Sequence, residues 1–207
     1  EDAKILAGGQ SLVPLMKLRL ARPKFLVDLN RVPNLDQLIE EDGHLRIGAM
    51  TRHVRIEESA LIKEKAPLMS EAAGHIADAQ VRNRGTLGGA LVEADPAGDW
   101  GPVVLALNGR LQCIGPDGER TLEAKDFFTF AYTTALRSNE ILAEVIIPTP
   151  KGAGVYLKLE RVAGGFATVS VALQVFLDHE KVCREIGIGI GGAGTTPLKP
   201  SAAENFV

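Results

Sequence analysis

The 207-residue sequence has little of what marks metal-binding, membrane or nucleic-acid-binding proteins. Its two cysteines, Cys113 and Cys183, lie far apart and cannot form a zinc or iron–sulfur ligand set. Apolar runs fall well short of the roughly 20 residues that a membrane span needs. The net charge of -3 gives no reason to bind nucleic acid or an anionic membrane. No secretory signal is visible, so we expect a reduced, cytoplasmic protein.

The usual signatures of nucleophilic and metal catalysis are also missing. The four histidines lack H-E-x-x-H spacing, and neither a G-x-S-x-G elbow nor a phosphate-binding P-loop occurs. We interpret these histidines as surface or helix-end residues. The G-x-G-x-x-G pattern at Gly189–Gly194 precedes "TTPLKP", whose prolines oppose a helix, so it indicates a glycine-rich strand end. The sequence therefore nominates no catalytic residue and no metal ligand.

What the sequence does contain is an ordered series of strand and helix patterns. "AKILA" and "KFLVDL" predict two buried strands around a helix, "LVPLMKLRL". Asp42-Gly43 and "PDG" predict two hairpins, and Thr51 is the expected cap of a helix through "RHVRIEESALI". "EILAEVIIP" predicts a further strand. After the boundary signal "PTPKGAG", three runs predict a small antiparallel sheet.

Two glycine-rich turns carry the strongest functional signal. "KILAGGQS" (Lys4 to Ser11) and "TLGG" (Thr86 to Gly89) each place a diglycine and a hydroxyl residue beside a helix start. Glycine allows close approach of backbone N–H groups to a ligand, and a helix N-terminus favours a phosphate. The alternative is that both are tight strand-to-helix turns without a ligand. Arg82 and Arg84 in "QVRNRG" either hold the second turn, meet a phosphate or face water.

Taken together, these residues resemble the FAD-binding medium subunit of the molybdenum hydroxylases, especially the carbon monoxide dehydrogenase type. The flavin domain of xanthine dehydrogenase is a more distant resemblance. The resemblance covers essentially the whole chain, and four segments carry it: "AGGQSLVPLMKLRLARPKFLVDLNRV", "VRNRGTLGGALVEADPAGDW", "NEILAEVIIP" and "YLKLER".

The resemblance implies an α+β fold of two α/β FAD-binding subdomains followed by a small three-stranded antiparallel sheet domain with a helical cover. The FAD-binding domain would span residues 1–150, with subdomains at about 1–45 and 46–150. A C-terminal flavoprotein domain would span residues 155–207. The start at Glu1 and the short C-terminal segment predict that flanking parts, including most of that helical cover, are cut off.

The resemblance also implies which residues line the FAD. The first turn would face the diphosphate, the second would form the other FAD loop, and single residues would reach the flavin end. Phe166 is the expected aromatic there, although Gly165 stands where relatives usually carry an acidic residue. The implied cofactor-binding residues are Lys4, Ile5, Leu6, Ala7, Gly8, Gly9, Gln10, Ser11, Ile76, Thr86, Leu87, Gly88, Gly89, Ala90, Asp99, Leu142, Lys158 and Phe166.

The implied function is electron transfer within a larger enzyme. The chain would accept electrons from a small [2Fe-2S] subunit and pass them to an external acceptor, and a large subunit would carry molybdopterin. The assembly would be a dimer of heterotrimers. Two alternatives remain at this point: a free-standing flavin oxidoreductase, and a nucleotide-binding or assembly module that has lost its flavin.

Overall fold

A computed structural model describes residues 2–206. At the N-terminus, two short strands pair in parallel on either side of a helix. Ala3 lies opposite Phe25 and Leu6 opposite Asp28. These elements are β1 (Ala3–Leu6), α1 (Leu12–Lys17) and β2 (Phe25–Asp28). The predicted order is confirmed.

The predicted burial of these two strands is wrong. Phe25 is 65% exposed, and no residue of α1 is buried. Two strands and a six-residue helix have too few neighbours within residues 2–206 to cover both faces of the pair. The apolar runs therefore predicted both strands correctly and their burial incorrectly.

The middle of the chain alternates strands with short helices. In chain order these are β3 (Leu38–Glu41), β4 (His44–Gly48), α2 (His53–Glu58), α3 (Ala60–Lys65), α4 (Pro67–Gly74), α5 (Ala79–Arg84), α6 (Leu87–Glu93), α7 (Trp100–Ala106), β5 (Arg110–Gly115), β6 (Gly118–Glu123), α8 (Ala124–Phe127), β7 (Phe128–Phe130), β8 (Thr133–Thr134) and β9 (Ile141–Pro148). The helix expected after Thr51 is two helices. Ser59 is extended between them, and its side chain accepts a hydrogen bond from the Ile62 N–H at 3.3 Å.

Five of these strands form one antiparallel sheet in the order β3-β4-β9-β5-β6. Both predicted hairpins are present. Asp42 and Gly43 have φ values of 51° and 73°, as a type I′ turn requires. The expected subdomain boundary near residue 45 falls inside β4, which pairs with β9. The β3–β4 hairpin therefore belongs with the later strands of this sheet.

The C-terminal part contains β10 (Ala153–Glu160), β11 (Ala167–Leu177), β12 (Cys183–Gly191) and α9 (Ser201–Glu204). The three strands form an antiparallel sheet, as predicted. Alternation is clear on β10, where Tyr156 is buried while Leu157 and Leu159 are more than 60% exposed.

The glycines of β12 have a packing role. A β-carbon at Gly187 would lie 2.9 Å from the Ala106 carbonyl carbon, and one at Gly189 would lie 2.6 Å from the Pro102 carbonyl carbon. Every residue of α7 is buried, and its backbone contacts this strand directly. The motif at Gly189 is thus the end of a strand that lets a helix approach, as the sequence indicates.

Within residues 2–206, no helix combines the length and apolar character needed to cross a membrane.

Candidate functional site

The first glycine turn, Ala7 to Ser11, joins β1 to α1, and its last two residues are exposed. The N–H groups of Gly8, Gly9, Gln10 and Ser11 have no hydrogen-bond acceptor among residues 2–206. Ser11 precedes α1, but its hydroxyl makes no capping hydrogen bond. Since unpaired amide donors favour an anionic oxygen, this turn has the chemistry of a phosphate cradle.

The second glycine turn, Thr86 to Ala90, opens α6 and uses its donors internally. The Leu87 N–H donates to the Thr51 carbonyl at 3.0 Å, and the Gly88 N–H donates to the Ala49 carbonyl at 2.8 Å. The Thr86 hydroxyl accepts from the Gly89 N–H at 3.1 Å. This turn is an interior support rather than a set of free donors.

The two turns are in direct contact. A β-carbon at Gly8 would lie 2.7 Å from the Gly85 Cα, and one at Gly89 would lie 3.4 Å from the Ala7 Cβ. Residues almost 80 positions apart in the chain thus form one surface. A single ligand on the first turn would lie beside the second.

The contacts at Gly8 and Gly88 give a structural reason for glycine in the two turns. If a bound phosphate were the only reason for glycine, a β-carbon at these positions would collide with the phosphate alone. Instead, a β-carbon at Gly8 would collide with the backbone at Arg84 and Gly85. One at Gly88 would lie 2.8 Å from the Ala49 carbonyl oxygen. These two glycines allow protein backbones to approach each other, so their substitution disturbs the fold before it reaches any ligand.

A buried polar group lies between α7 and β10. The Tyr156 hydroxyl donates to Asp99 Oδ1 at 2.6 Å, and Lys158 Nζ lies 3.0 Å from the same oxygen. Burial raises the pKa of Asp99, while the Tyr156 hydrogen bond and the Lys158 charge oppose that rise. Burial, followed by the Asp99 charge, raises the pKa of Tyr156. A carboxylate paired in this way presents a fixed charge and hydrogen-bonding geometry.

The same group reaches the turn after α4, which contains Ile76. Lys158 Nζ donates to the His75 carbonyl at 2.9 Å. Arg82 donates to the carbonyls of Ile76 and Ala77 and pairs with Glu57 at 2.8 Å. The structure therefore brings Ile76, Asp99 and Lys158 together. It also gives Arg82 a definite role, which is holding the turn at Ile76 rather than facing water.

Two expected site residues stand apart from this group. Leu142 is 4% exposed and belongs to the main core, opposite Cys113 in the sheet. Its strand neighbours Ile141 and Ala143 pack in the smaller cluster that Ala7 joins. Phe166 is 70% exposed at the end of the β10–β11 turn.

That turn approaches the Ile76 turn. A β-carbon at Gly164 would lie 2.9 Å from the Ala77 carbonyl oxygen. The N-terminal strand residues Lys4 and Ile5 remain exposed on β1, with Leu6 partly covered. Ile76, Asp99 and Lys158 thus come from separate elements that tertiary packing brings together, and the β10–β11 turn lies beside them.

His53 is a residue that the sequence interpretation missed. It is buried beneath the second turn, where its N–H donates to the Gly85 carbonyl at 3.1 Å. Its Nδ1 accepts from the Trp100 indole N–H at 3.1 Å. Burial, with the charges of Arg52 and Arg82, lowers the pKa of His53 to about 4. No motif marks this histidine, because its partners are distant in the sequence.

Comparison with known proteins identifies the class. Residues 1–150 match the family model described as the FAD binding domain in molybdopterin dehydrogenase. The chain is 43% identical over 200 residues to the carbon monoxide dehydrogenase medium chain of Hydrogenophaga pseudoflava, covering 96% of this chain and 69% of that one. It is 42% identical over 194 residues to the nicotine 6-hydroxylase medium subunit of Paenarthrobacter nicotinovorans, with coverages of 93% and 68%.

A solved structure agrees with these relatives. The crystal structure of cyanide-inactivated Cu,Mo carbon monoxide dehydrogenase superposes with a TM-score of 0.96 at 36% identity, covering 99% of this chain and 72% of that one. The chain belongs to the family of FAD-binding medium subunits of the molybdenum hydroxylases. It is an FAD-dependent oxidoreductase subunit with FAD as its own cofactor.

Proposed function

We propose that this chain is the electron-transfer subunit of a molybdenum-containing hydroxylase. It would take electrons from a [2Fe-2S] subunit and deliver them to an external acceptor. FAD supplies the capacity to take up and release two electrons, while the protein binds and orients it. The observation that supports this most is the contact between a turn whose N–H groups have no acceptor among residues 2–206 and a second, internally bonded turn.

The diphosphate of FAD belongs, in this proposal, on the first turn. The N–H groups of Gly8 to Ser11 would donate to its oxygens, and the Ser11 hydroxyl would add one more donor. The second turn, Thr86 to Ala90, would form the opposite wall. Thr86 is buried and its hydroxyl accepts from the Gly89 N–H, so it would support this wall from the inside. Lys4, Ile5 and Leu6 would line the approach along β1.

The flavin end would lie against the Asp99 group. Asp99 and Lys158 are paired at 3.0 Å, so they act through fixed hydrogen bonds more than through net charge. Ile76 would supply an apolar contact, and the exposed ring of Phe166 would cover the cofactor. Leu142 would contribute through its backbone, because its side chain belongs to the core.

The proposed domains follow from this placement. Residues 1–150 would form the FAD-binding domain, and residues 155–207 the start of a C-terminal flavoprotein domain built on β10–β12. We place the division between the two FAD-binding subdomains before β3, because β3 and β4 pair within the later sheet. A large molybdopterin subunit and a small iron–sulfur subunit would complete a heterotrimer, paired as a dimer.

The test uses the full-length chain assembled with its partner subunits. The complex is reduced chemically and mixed separately with NAD, a quinone and a ferredoxin, while the iron–sulfur and flavin absorbance are followed. At least one acceptor should reoxidise the FAD-loaded complex rapidly and the FAD-stripped complex slowly. Equal rates with and without FAD would contradict the proposal.

The alternative of a free-standing flavin oxidoreductase makes a different prediction. The chain alone, loaded with FAD, would then be reduced directly by a small-molecule donor, without the partner subunits. Copurification with iron- and molybdenum-containing chains, together with no direct reduction of the isolated chain, would support the electron-transfer role.

A further inference from the structure

Arg52 and Asn30 form a side-chain bridge between the two glycine turns. One guanidinium nitrogen of Arg52 donates to the Arg84 carbonyl, and the other donates to Asn30 Oδ1. Asn30 Nδ2 donates in turn to the Ala7 carbonyl at 3.0 Å. A continuous hydrogen-bonded path therefore runs from Ala7, the first residue of the first turn, to Arg84, which shortly precedes the second turn. We call this path the Arg52–Asn30 bridge.

The backbone of Arg52 is already attached to the second turn. Arg52 forms an isolated antiparallel bridge with Thr86, and the next residue, His53, donates to the Gly85 carbonyl. Arg52 immediately precedes α2 and has an extended backbone conformation. The guanidinium thus starts from a fixed point on one turn and reaches toward the other.

Asn30 is held in one orientation on the side of the first turn. Its backbone N–H and its Nδ2 both donate to Asp28 Oδ1 at the end of β2. Because Nδ2 also donates to the Ala7 carbonyl, Oδ1 is left to accept from Arg52. These contacts fix the orientation of the Asn30 side-chain amide, so that its oxygen rather than its NH2 group faces the cationic Arg52 side chain.

The central position suits arginine better than lysine. A guanidinium offers donors in a planar, rigid fork, so it can bond two acceptors at once, whereas a lysine ammonium is a single point charge. The Arg84 carbonyl that it reaches is also the group that meets Gly8 where the turns touch. The bridge therefore acts at the point that sets the spacing between the turns.

We propose that Arg52 and Asn30 are positioning residues, which hold the first turn at the spacing that its N–H groups need to grip the FAD diphosphate. This inference rests on the proposed placement of the diphosphate at Gly8 to Ser11. Without the bridge, the first turn keeps its N–H donors but is no longer held at a fixed spacing from the second turn. The consequence is faster loss of FAD, with smaller effects on the core.

The experiment measures FAD dissociation from the assembled, full-length complex. Arg52→Lys, Arg52→Gln and Asn30→Ala should each raise the dissociation rate about tenfold, the scale expected for one hydrogen bond to a charged group. The double variant R52Q/N30A should be little worse than either single change, because both remove the same path. The phosphorus NMR signals of bound FAD should shift in all of these variants.

Arg55→Lys is the matched control. Arg55 lies one turn further along α2 and donates to the Asp36 carbonyl rather than to either glycine turn. Its variant should keep the wild-type dissociation rate and phosphorus signals. Unfolding temperature, measured in parallel, separates general destabilisation from a change in the site.

Two outcomes would overturn the inference. One is an Arg52→Lys complex with the wild-type rate and phosphorus signals, which would mean that charge alone suffices. The other is the same FAD dissociation rate in the R52Q and R55K complexes. Failure of the electron-transfer proposal would look different, since reoxidation would then be independent of FAD even in the wild-type complex.

Discussion

The turn at Ala7–Ser11 and the turn at Thr86–Ala90 look alike in sequence and differ in how they use their N–H groups. In the first, the N–H groups of Gly8 to Ser11 have no acceptor among residues 2–206. The second is largely buried and uses its N–H groups to bind Ala49, Thr51 and its own threonine. A shared diglycine and hydroxyl thus do not determine how a turn uses its N–H groups.

This difference separates two kinds of damage. Changes in the second turn should lower the free energy of unfolding. Changes to the exposed side chain of Ser11 in the first turn should weaken FAD binding with little cost to the fold. Each of the following experiments tests this difference between the two turns. They are ordered from the largest to the smallest expected effect on the free energy of unfolding.

Gly88→Ala should have the largest effect. Even a methyl group at this position would lie within 3 Å of the Ala49 backbone, which is itself hydrogen-bonded to β9. Because that backbone cannot move aside cheaply, we expect a loss of about 3 kcal/mol in denaturant unfolding. Gly74→Ala is the control, since its β-carbon would meet only Glu57 Oε1 at 3.6 Å. Equal effects would show that Gly88 is not a packing residue.

Acid should weaken the second turn through His53. The folded protein keeps this ring neutral down to a pKa of about 4, whereas the unfolded chain protonates it near 6.5. The unfolded state therefore binds the proton first, and stability should fall as the pH drops from 6.5 to 4, by about 3 kcal/mol.

His53→Asn should remove that pH dependence. The asparagine carbonyl can still accept from Trp100 but does not titrate in this range. Urea unfolding at several pH values would measure the difference. His179→Asn, at an exposed position, should retain the wild-type slope. A slope unchanged by the His53 substitution would mean that other groups cause the acid sensitivity.

Thr86→Ala should have an intermediate effect. It removes the hydroxyl that caps α6 through the Gly89 N–H, and such caps contribute about 1 kcal/mol. Thermal unfolding of the FAD-free chain would show the loss. Serine at this position keeps the oxygen, so Thr86→Ser should recover most of the stability.

Ser11→Ala should leave stability almost unchanged. Its hydroxyl caps nothing, and its side chain is exposed. If the diphosphate binds here, loss of one donor to a charged oxygen should weaken FAD affinity about tenfold, measured by titration of the FAD-free chain. A variant with wild-type affinity would place the diphosphate elsewhere and remove the contrast between the turns.

Local patterns predicted much of the secondary structure. Alternation and apolar runs identified β1, β2, β9 and the three C-terminal strands, and Asp42-Gly43 identified a hairpin because few residue pairs allow that turn. Resemblance to a family identified FAD as the cofactor. Neither kind of signal determines burial. The apolar runs of β1 and β2 predict buried strands, whereas both strands are largely exposed.

The sequence by itself determined where strands, hairpins and glycine turns form, since these depend on backbone preferences of neighbouring residues. Only the tertiary structure decided which turn keeps free donors, that His53 is buried, and that Asn30, Arg52 and Arg84 meet. Those outcomes depend on contacts between segments far apart in the chain. Such contacts are selected by the packing of the whole molecule rather than by any local pattern.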